Sequence, residues 1–552
     1  MAGRIITLEG YRKTADFTRL TGSLRRDHAT IARFLSRKPS AGRIRDIVAI
    51  PDQMGGRFPK ETYRVLLFVE GRATPFIGTL PAGISEGQSA ARLMGTAEGM
   101  SLKDSHTQAR QFLQDTLKPK LVGRNVAELG SIEAEFKLAS DEARAANPRL
   151  GPYENMGAQN SLGITIAMAY AIADLANVPV TSVINYFYNK ALESKGYSEF
   201  EPISLPMVQG VLGDCGRHGL ALTLDQMAER GILTAEGRRA FPVQLASDFS
   251  LPVIAPQEAL ALYRRFDTFD AMIAAAEKVS AAYLKLLKGA VPEDSIHRGA
   301  ESGYTSQHMT SLHTVLTLMR KAYEQSGMEG RVSSSLDVAM SELVLTPDAT
   351  SLRDILCFVG PELADNATGV LPLSEAYERI VAIARAFNMP IVEDLAPEAD
   401  AMGQLSRADQ IAAMALAGNL LADAGIAAVA DDTTVGNPAL AQELVVDGRI
   451  AGWILLKDTQ SGSFLTLVDF AATGRANGIR LNNSHRGNAV AGERWPGHLA
   501  VGLGAESAKF TPWGTGRGEK IVAMREIEAI YASLGIMLPF WGNPAHTGLF
   551  KN

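Results

Sequence analysis

Ile426-Ala427-Ala428-Val429-Ala430-Asp431-Asp432-Thr433-Thr434-Val435-Gly436-Asn437-Pro438 reads as a short apolar strand that ends in two acids and turns toward a new helix. The pattern extends both ways. Upstream, Ser406 is placed to cap a helix that Gly425 ends. Before it, Leu373, Tyr377, Ile380, Ala384 and Phe387 keep helical spacing until Asn388 and Pro390 interrupt, and Ile391-Val392 leads into Glu393-Asp394. Downstream, a short helix and an apolar stretch over 450–456 deliver Lys457, and another over 478–482 delivers Ser484-His485-Arg486. In each unit a charged group stands just after the strand. This is the arrangement of a β/α barrel, which collects its reacting groups at the carboxyl ends of its strands.

With 552 residues, 46% hydrophobic and 21% charged, the chain has ordinary globular composition and the length for a large core or two domains, so general disorder is excluded. A net charge of -6 and a pI near 5.9 give no electrostatic reason to expect a nucleic acid or an anionic membrane as partner. An anionic substrate must then be met by local positive charge. Cys215 and Cys357, far apart, exclude a disulfide framework and a cysteine-rich zinc site and fit a reducing cytoplasm. The opening Met1-Ala2-Gly3-Arg4-Ile5-Ile6 lacks the order of a signal peptide, and the most apolar windows, 164–175 and 411–430, are interrupted by Asp174, Asn419 and Asp423. A soluble, cytoplasmic protein is expected.

Three regions differ in character. Residues 1–40 are Arg-rich, with a helix over 27–35, and read as an N-terminal extension or simply a solvated basic face. Residues 41–200 begin with strand-like stretches at 44–50 and 63–70 and continue with helices, including 161–175, which makes an α+β domain. Residues 201–552 carry the barrel rhythm.

Asp337, in Leu336-Asp337-Val338-Ala339-Met340-Ser341-Glu342, joins Glu393 and Asp431 at strand ends. Taken singly, each acid reads more readily as a helix N-cap or a surface group. On neighbouring strands, the three would converge without a cationic partner for each, and a hard divalent cation such as Mg²⁺ would relieve their repulsion. Lys457 closes the apolar Trp453-Ile454-Leu455-Leu456; burial and a nearby metal would lower its basicity and leave a neutral amine able to act as a base, whereas alone it reads as a snorkelling surface lysine. His485-Arg486 and Lys509 follow at the next two strand ends and suit a phosphate or carboxylate, or surface ion pairs. Gly514-Thr515-Gly516-Arg517-Gly518 lacks the spacing and lysine of a nucleotide P-loop.

From residue 44 onward the motifs resemble the enolase family in order. Pro81-Ala82-Gly83-Ile84-Ser85-Glu86-Gly87 is similar to its mobile Pro-Ser-Gly-Ala-Ser-Thr-Gly loop, and Gly157-Ala158-Gln159-Asn160-Ser161-Leu162-Gly163 to its Gly-Ala-Asn-Ala-Ile-Leu-Gly helix start. The segments around Asp337, Glu393, Asp431, Lys457 and His485-Arg486 follow. The resemblance implies an enolase-type β/α barrel preceded by an α+β capping domain, commonly in a homo-oligomer. By it, Asp337, Glu393 and Asp431 would hold a first Mg²⁺, Ser85 would ligate a second, and Lys457 would take the α-proton of a carboxylate substrate. Glu301, in Gly299-Ala300-Glu301-Ser302-Gly303-Tyr304, would be the acid that helps hydroxide leave; His485 and Arg486 would meet the phosphate and Lys509 the carboxylate.

Other stretches depart from the family. Its Asn-Gly-Gly-Ser-His-Ala loop appears here as Val211-Leu212-Gly213-Asp214-Cys215-Gly216-Arg217-His218, so His218 would serve only after a shift, and the glutamate that follows in the family would become Asp225. Gly487 replaces the serine after the family's His-Arg, and the N-terminal Asp-Ser-Arg-Gly-Asn-Pro signature is missing near 50–59. These changes spare the metal and base positions and alter the substrate shell. The expected activity is therefore elimination from a phospho- or phosphono-carboxylate similar to 2-phosphoglycerate, through an enediolate; the alternatives are the housekeeping conversion of 2-phosphoglycerate to phosphoenolpyruvate and a catalytically silent binding protein.

Overall fold

The computed structural model describes residues 10–53, 61–79, 90–215, 257–298, 303–306, 312–346, 349–366, 368–484, 493–511 and 518–543. Strands β1 (Ile44–Gln53), β2 (Glu61–Val69) and β3 (Phe76–Thr79) form an antiparallel sheet in that order. Tyr63, Val65, Leu67 and Val69 of β2 are buried at alternate positions, as a half-covered strand requires. Their cover is the helix Ala158–Ala176, which packs on β2 and β3 and is buried nearly all round. That explains the apolar window at 164–175 as a core helix, and among the described residues no single helix is long and apolar enough to cross a membrane.

Helix and sheet meet backbone to backbone. A Cβ at Gly78 would stand 1.8 Å from the Gly163 carbonyl oxygen, and a Cβ at Gly163 would stand 2.7 Å from Val65 Cγ2. Because the obstacle at Gly78 is main chain, no rotamer change relieves it. Gly78→Ala is expected to cost about 1–3 kcal/mol, read as a lower denaturant midpoint; an unchanged midpoint would show that the two elements can separate freely.

The Arg-rich extension is a two-faced helix, Ala15–Arg37, longer than the sequence suggested. Leu20, Leu24, Ile31 and Phe34 are buried against the helices Ala158–Ala176 and Val180–Ser194, while Arg19, Arg25, Arg26, Arg33 and Arg37 are exposed. It is thus a packed surface layer whose outer face is basic.

The second layer system begins with β4 (Met207–Cys215) and β5 (Gln257–Tyr263), which pair antiparallel. A small antiparallel hairpin, β6 (Ile296–Arg298) and β7 (Tyr304–Ser306), attaches to β4, and β8 (Val332–Asp337) pairs antiparallel with β5. After a second hairpin, β9 (Leu356–Phe358) and β10 (Val370–Pro372), come β11 (Ile391–Glu393), β12 (Ala427–Ala430), β13 (Trp453–Leu456), β14 (Arg480–Asn483) and β15 (Ser507–Ala508). From β8 through β11 to β15 the pairings are parallel, and β15 closes the ring on β4. The result is a closed barrel of eight strands with β5 reversed, wrapped by helices that include Leu373–Ala386, Arg407–Asp423 and Phe464–Ala476. Ser406 caps the second of these as its sequence position requires, accepting from Asp409 N–H.

At the amino ends of the strands the barrel is tied by a buried ion pair. Arg475 donates to both carboxylate oxygens of Glu506, at 2.6 and 3.1 Å, and also to the Gly504 carbonyl and the Tyr188 hydroxyl. Glu506 in turn accepts the Leu481 N–H at the start of β14.

Candidate active site

Because side chains alternate across a strand, one per pair of residues points into the barrel. Asp337 closes β8, Glu393 closes β11 in register with it, and Asp431 follows the last residue of β12, the next strand round. All three are buried, at 9%, 3% and 3% exposure. Lys509, just after β15, reaches across the interior to donate to Asp337 Oδ2 at 2.6 Å and Glu393 Oε1 at 2.9 Å. Lys457, just after β13, donates to Asp431 Oδ2.

The sequence suggested that the three acids converge without a cationic partner for each. In the ring, two lysines answer them: Lys457 from the next strand after β12, and Lys509 from β15, which is distant in the chain. Burial works against the charge on Lys509, but Asp337, Glu393 and Glu258 outweigh it and hold the ammonium well above the usual lysine range. Lys457 follows the same pattern: burial lowers its pKa, yet Asp431 and Asp432 raise it further. In contact with Asp431 the Lys457 ammonium is favoured; the lowered basicity expected of it belongs to a site with a bound metal. Burial, then Asp337, pushes the Glu393 carboxyl well above its normal value.

Glu258 was passed over in the sequence. It lies second in β5, in register with Asp337, with its carboxylate 3.3 Å from Lys509 Nζ. The signal sought was a charge after an apolar run, whereas β5 runs backwards and brings its rim residue in before Ala259-Leu260-Ala261-Leu262. A carboxylate preceding an apolar run was the clue.

Among the described residues, Asp394, Asp431 and Asp432 form a group whose carboxylate oxygens lie within 4.8 Å of one another. Asp394, however, accepts the backbone N–H groups of Asp431 (2.9 Å) and Asp432 (3.1 Å). It braces the β12 turn and is already committed, while Asp431 Oδ1 is buried with no hydrogen-bond partner among the described residues. Hard oxygen donors on three adjacent strand ends, one with an unmet lone pair, suit a divalent cation held by Asp337, Glu393 and Asp431. The acidic cluster can hold a metal on this chemistry.

Of the other residues singled out in the sequence, Ser85, His218, Asp225, Glu301, His485 and Arg486 lie outside the described residues. Ser484, the residue before His485, is buried at the end of β14 and donates its N–H to the Leu456 carbonyl, one residue before Lys457. Residues 253–547, more than half of the chain, match the family model described as the enolase C-terminal TIM barrel domain. With the closed barrel and its ring of rim carboxylates and lysines, this match places the chain in the enolase family.

Proposed function

We propose that this protein is a magnesium-dependent lyase that removes the α-proton of a phospho- or phosphono-carboxylate similar to 2-phosphoglycerate and eliminates a β-substituent. The observation that carries the reading is the juxtaposition of Asp337, Glu393 and Asp431 on adjacent strand ends with Lys457 and Lys509 in contact with them. A divalent cation held by the three carboxylates would supply positive charge against the second negative charge that grows on the substrate carboxylate, and would release Asp431 from Lys457.

Lys457 Nζ, as the free amine, then takes the α-proton and becomes an ammonium, while the C–H electron pair moves into the new double bond. The β-hydroxide leaves with a proton from an acid, assigned by resemblance to Glu301, as water. Lys509 offers its ammonium to the substrate carboxylate, and Arg486 and His485 offer charge to the phosphoryl group. Ser85 is assigned by resemblance to a second cation. A silent binding role is disfavoured because the carboxylates and Lys457 are all present.

The altered stretch 211–218 and Gly487 support a substrate other than 2-phosphoglycerate itself, with that compound as the alternative. A cytoplasmic homo-oligomer is part of the same proposal. The test is a panel of 2-phosphoglycerate and its phosphono analogues, with Mg²⁺ in deuterated solvent, read by α-hydrogen exchange and enol absorbance. Exchange that stops on chelation is expected. No exchange with any member would remove the lyase reading.

A further inference from the structure

The turn after Lys457 is held from outside the barrel. Asp458–Ser461 makes one helical turn, with the Gln460 and Ser461 N–H groups returning to the Lys457 carbonyl at 3.1 and 3.3 Å, and the helix Phe464–Ala476 starts beyond Gly462. Four groups of the N-terminal region close on it. Ala91 N–H donates to the Gln460 carbonyl at 2.8 Å, and the Ser161 hydroxyl donates to the Gly462 carbonyl. The Tyr153 hydroxyl lies 3.3 Å from Ser463 Oγ and 3.0 Å from Thr466 Oγ1. Glu133, on the helix Leu129–Ala146, receives the Ser463 hydroxyl and the N–H groups of Leu465 (2.5 Å) and Thr466 (3.2 Å), all on Oε1.

Gly462 shows how close the fit is. It adopts φ +72°, and a Cβ there would stand 2.5 Å from Tyr153 Cδ2 and 2.6 Å from Ala91 Cβ. The grip also touches the acidic side of the site, because Gln460 Nε2 donates to Asp432 Oδ1 at 3.3 Å. Glu133 is 4% exposed, and it places a carboxylate at the amino end of a helix whose own cap, Ser463, already receives the Thr466 N–H. Ser463 answers only one of the open N–H groups at this helix start, and Glu133 meets the Leu465 N–H from a different part of the fold.

We propose that Glu133 is a positioning residue for Lys457: by capping the barrel helix that follows β13, the N-terminal region fixes the turn on which the base stands. The proposal rests on Lys457 being the base. Misplacing a reacting group by about 1 Å costs on the order of 10²-fold in rate, so loosening this turn acts on turnover rather than on substrate affinity.

The experiment uses the full chain with Mg²⁺ and the variants Glu133→Ala, Glu133→Gln and Tyr153→Phe, read by kcat and KM for α-proton exchange and by amide hydrogen exchange of residues 457–466. For Glu133→Ala a loss of about 10²-fold in kcat with little change in KM is expected, together with faster amide exchange confined to 457–466. Glu133→Gln, which keeps an acceptor oxygen, should recover most of the rate. A folded Glu133→Ala with wild-type kcat overturns the proposal, as does an equal loss in the Ala and Gln variants with 457–466 unchanged. Should Glu133→Ala fail to fold, Tyr153→Phe decides: a kcat loss with local loosening supports the clamp, and wild-type behaviour overturns it. If wild type exchanges no α-proton at all, the lyase reading fails, and amide exchange alone then judges the clamp: local loosening supports it and unchanged protection overturns it.

Discussion

Replacing Lys457 by methionine is expected to lower α-proton exchange by about 10²–10⁴-fold, with KM nearly unchanged. Methionine keeps an apolar stem of similar length at the end of β13, where Trp453, Ile454, Leu455 and Leu456 are all buried, and removes only the amine. The same substitution leaves Asp431 without its ammonium. In the chelated protein that buried carboxylate then faces Glu393 uncompensated, so the thermal midpoint should fall without Mg²⁺ and recover on its addition more than in wild type. Exchange at the wild-type rate would remove Lys457 as the base, whatever happened to the midpoint.

The opposite end of the barrel gives the second large effect. Arg475→Met is expected to destabilise the fold by about 3–5 kcal/mol, because it removes the guanidinium hydrogen-bonded to Glu506, which is 1% exposed, and leaves only the more distant Arg480 charge to face it. The guanidinium also serves Gly504 and Tyr188, so the loss reaches both the start of β15 and the helix Val180–Ser194. The double variant Arg475→Met, Glu506→Leu should recover a large part of that cost, since both charges of the pair are then gone. Denaturant unfolding of the two singles and the double measures the coupling. Residual folded enzyme should keep its kcat, because Arg475 lies at the stability end of the barrel and touches none of the rim groups. An Arg475→Met protein as stable as wild type would mean that Glu506 finds another partner.

What could be seen in the sequence follows from strand direction. The parallel units from β11 to β14 announce themselves, since each presents a buried run followed at once by its rim group: Glu393, Asp431, Lys457, Ser484. Periodicity also located the helices Leu373–Ala386 and Arg407–Asp423 nearly to the residue. Glu258 escaped because direction is a property of pairing, which no local window contains. The ionic state of Lys457 escaped for a related reason: its partner, Asp431, comes from the adjacent strand, and only the ring shows that their side chains meet. Glu133 is less visible still, since a helical glutamate between Ile132 and Ala134 carries no mark that it caps a helix more than three hundred residues away.

The reversal of β5 has a bearing on how such a protein diversifies. Cys215 and Gln257 are paired partners at the same rim, next to Glu258. The rim carboxylates Asp337, Glu393 and Asp431 belong to segments outside the interval 216–256. The positions His218 and Asp225 fall inside that interval. Under the proposed function, a lineage would rewrite its substrate preference in one contiguous piece of gene while inheriting the proton-abstracting residues intact.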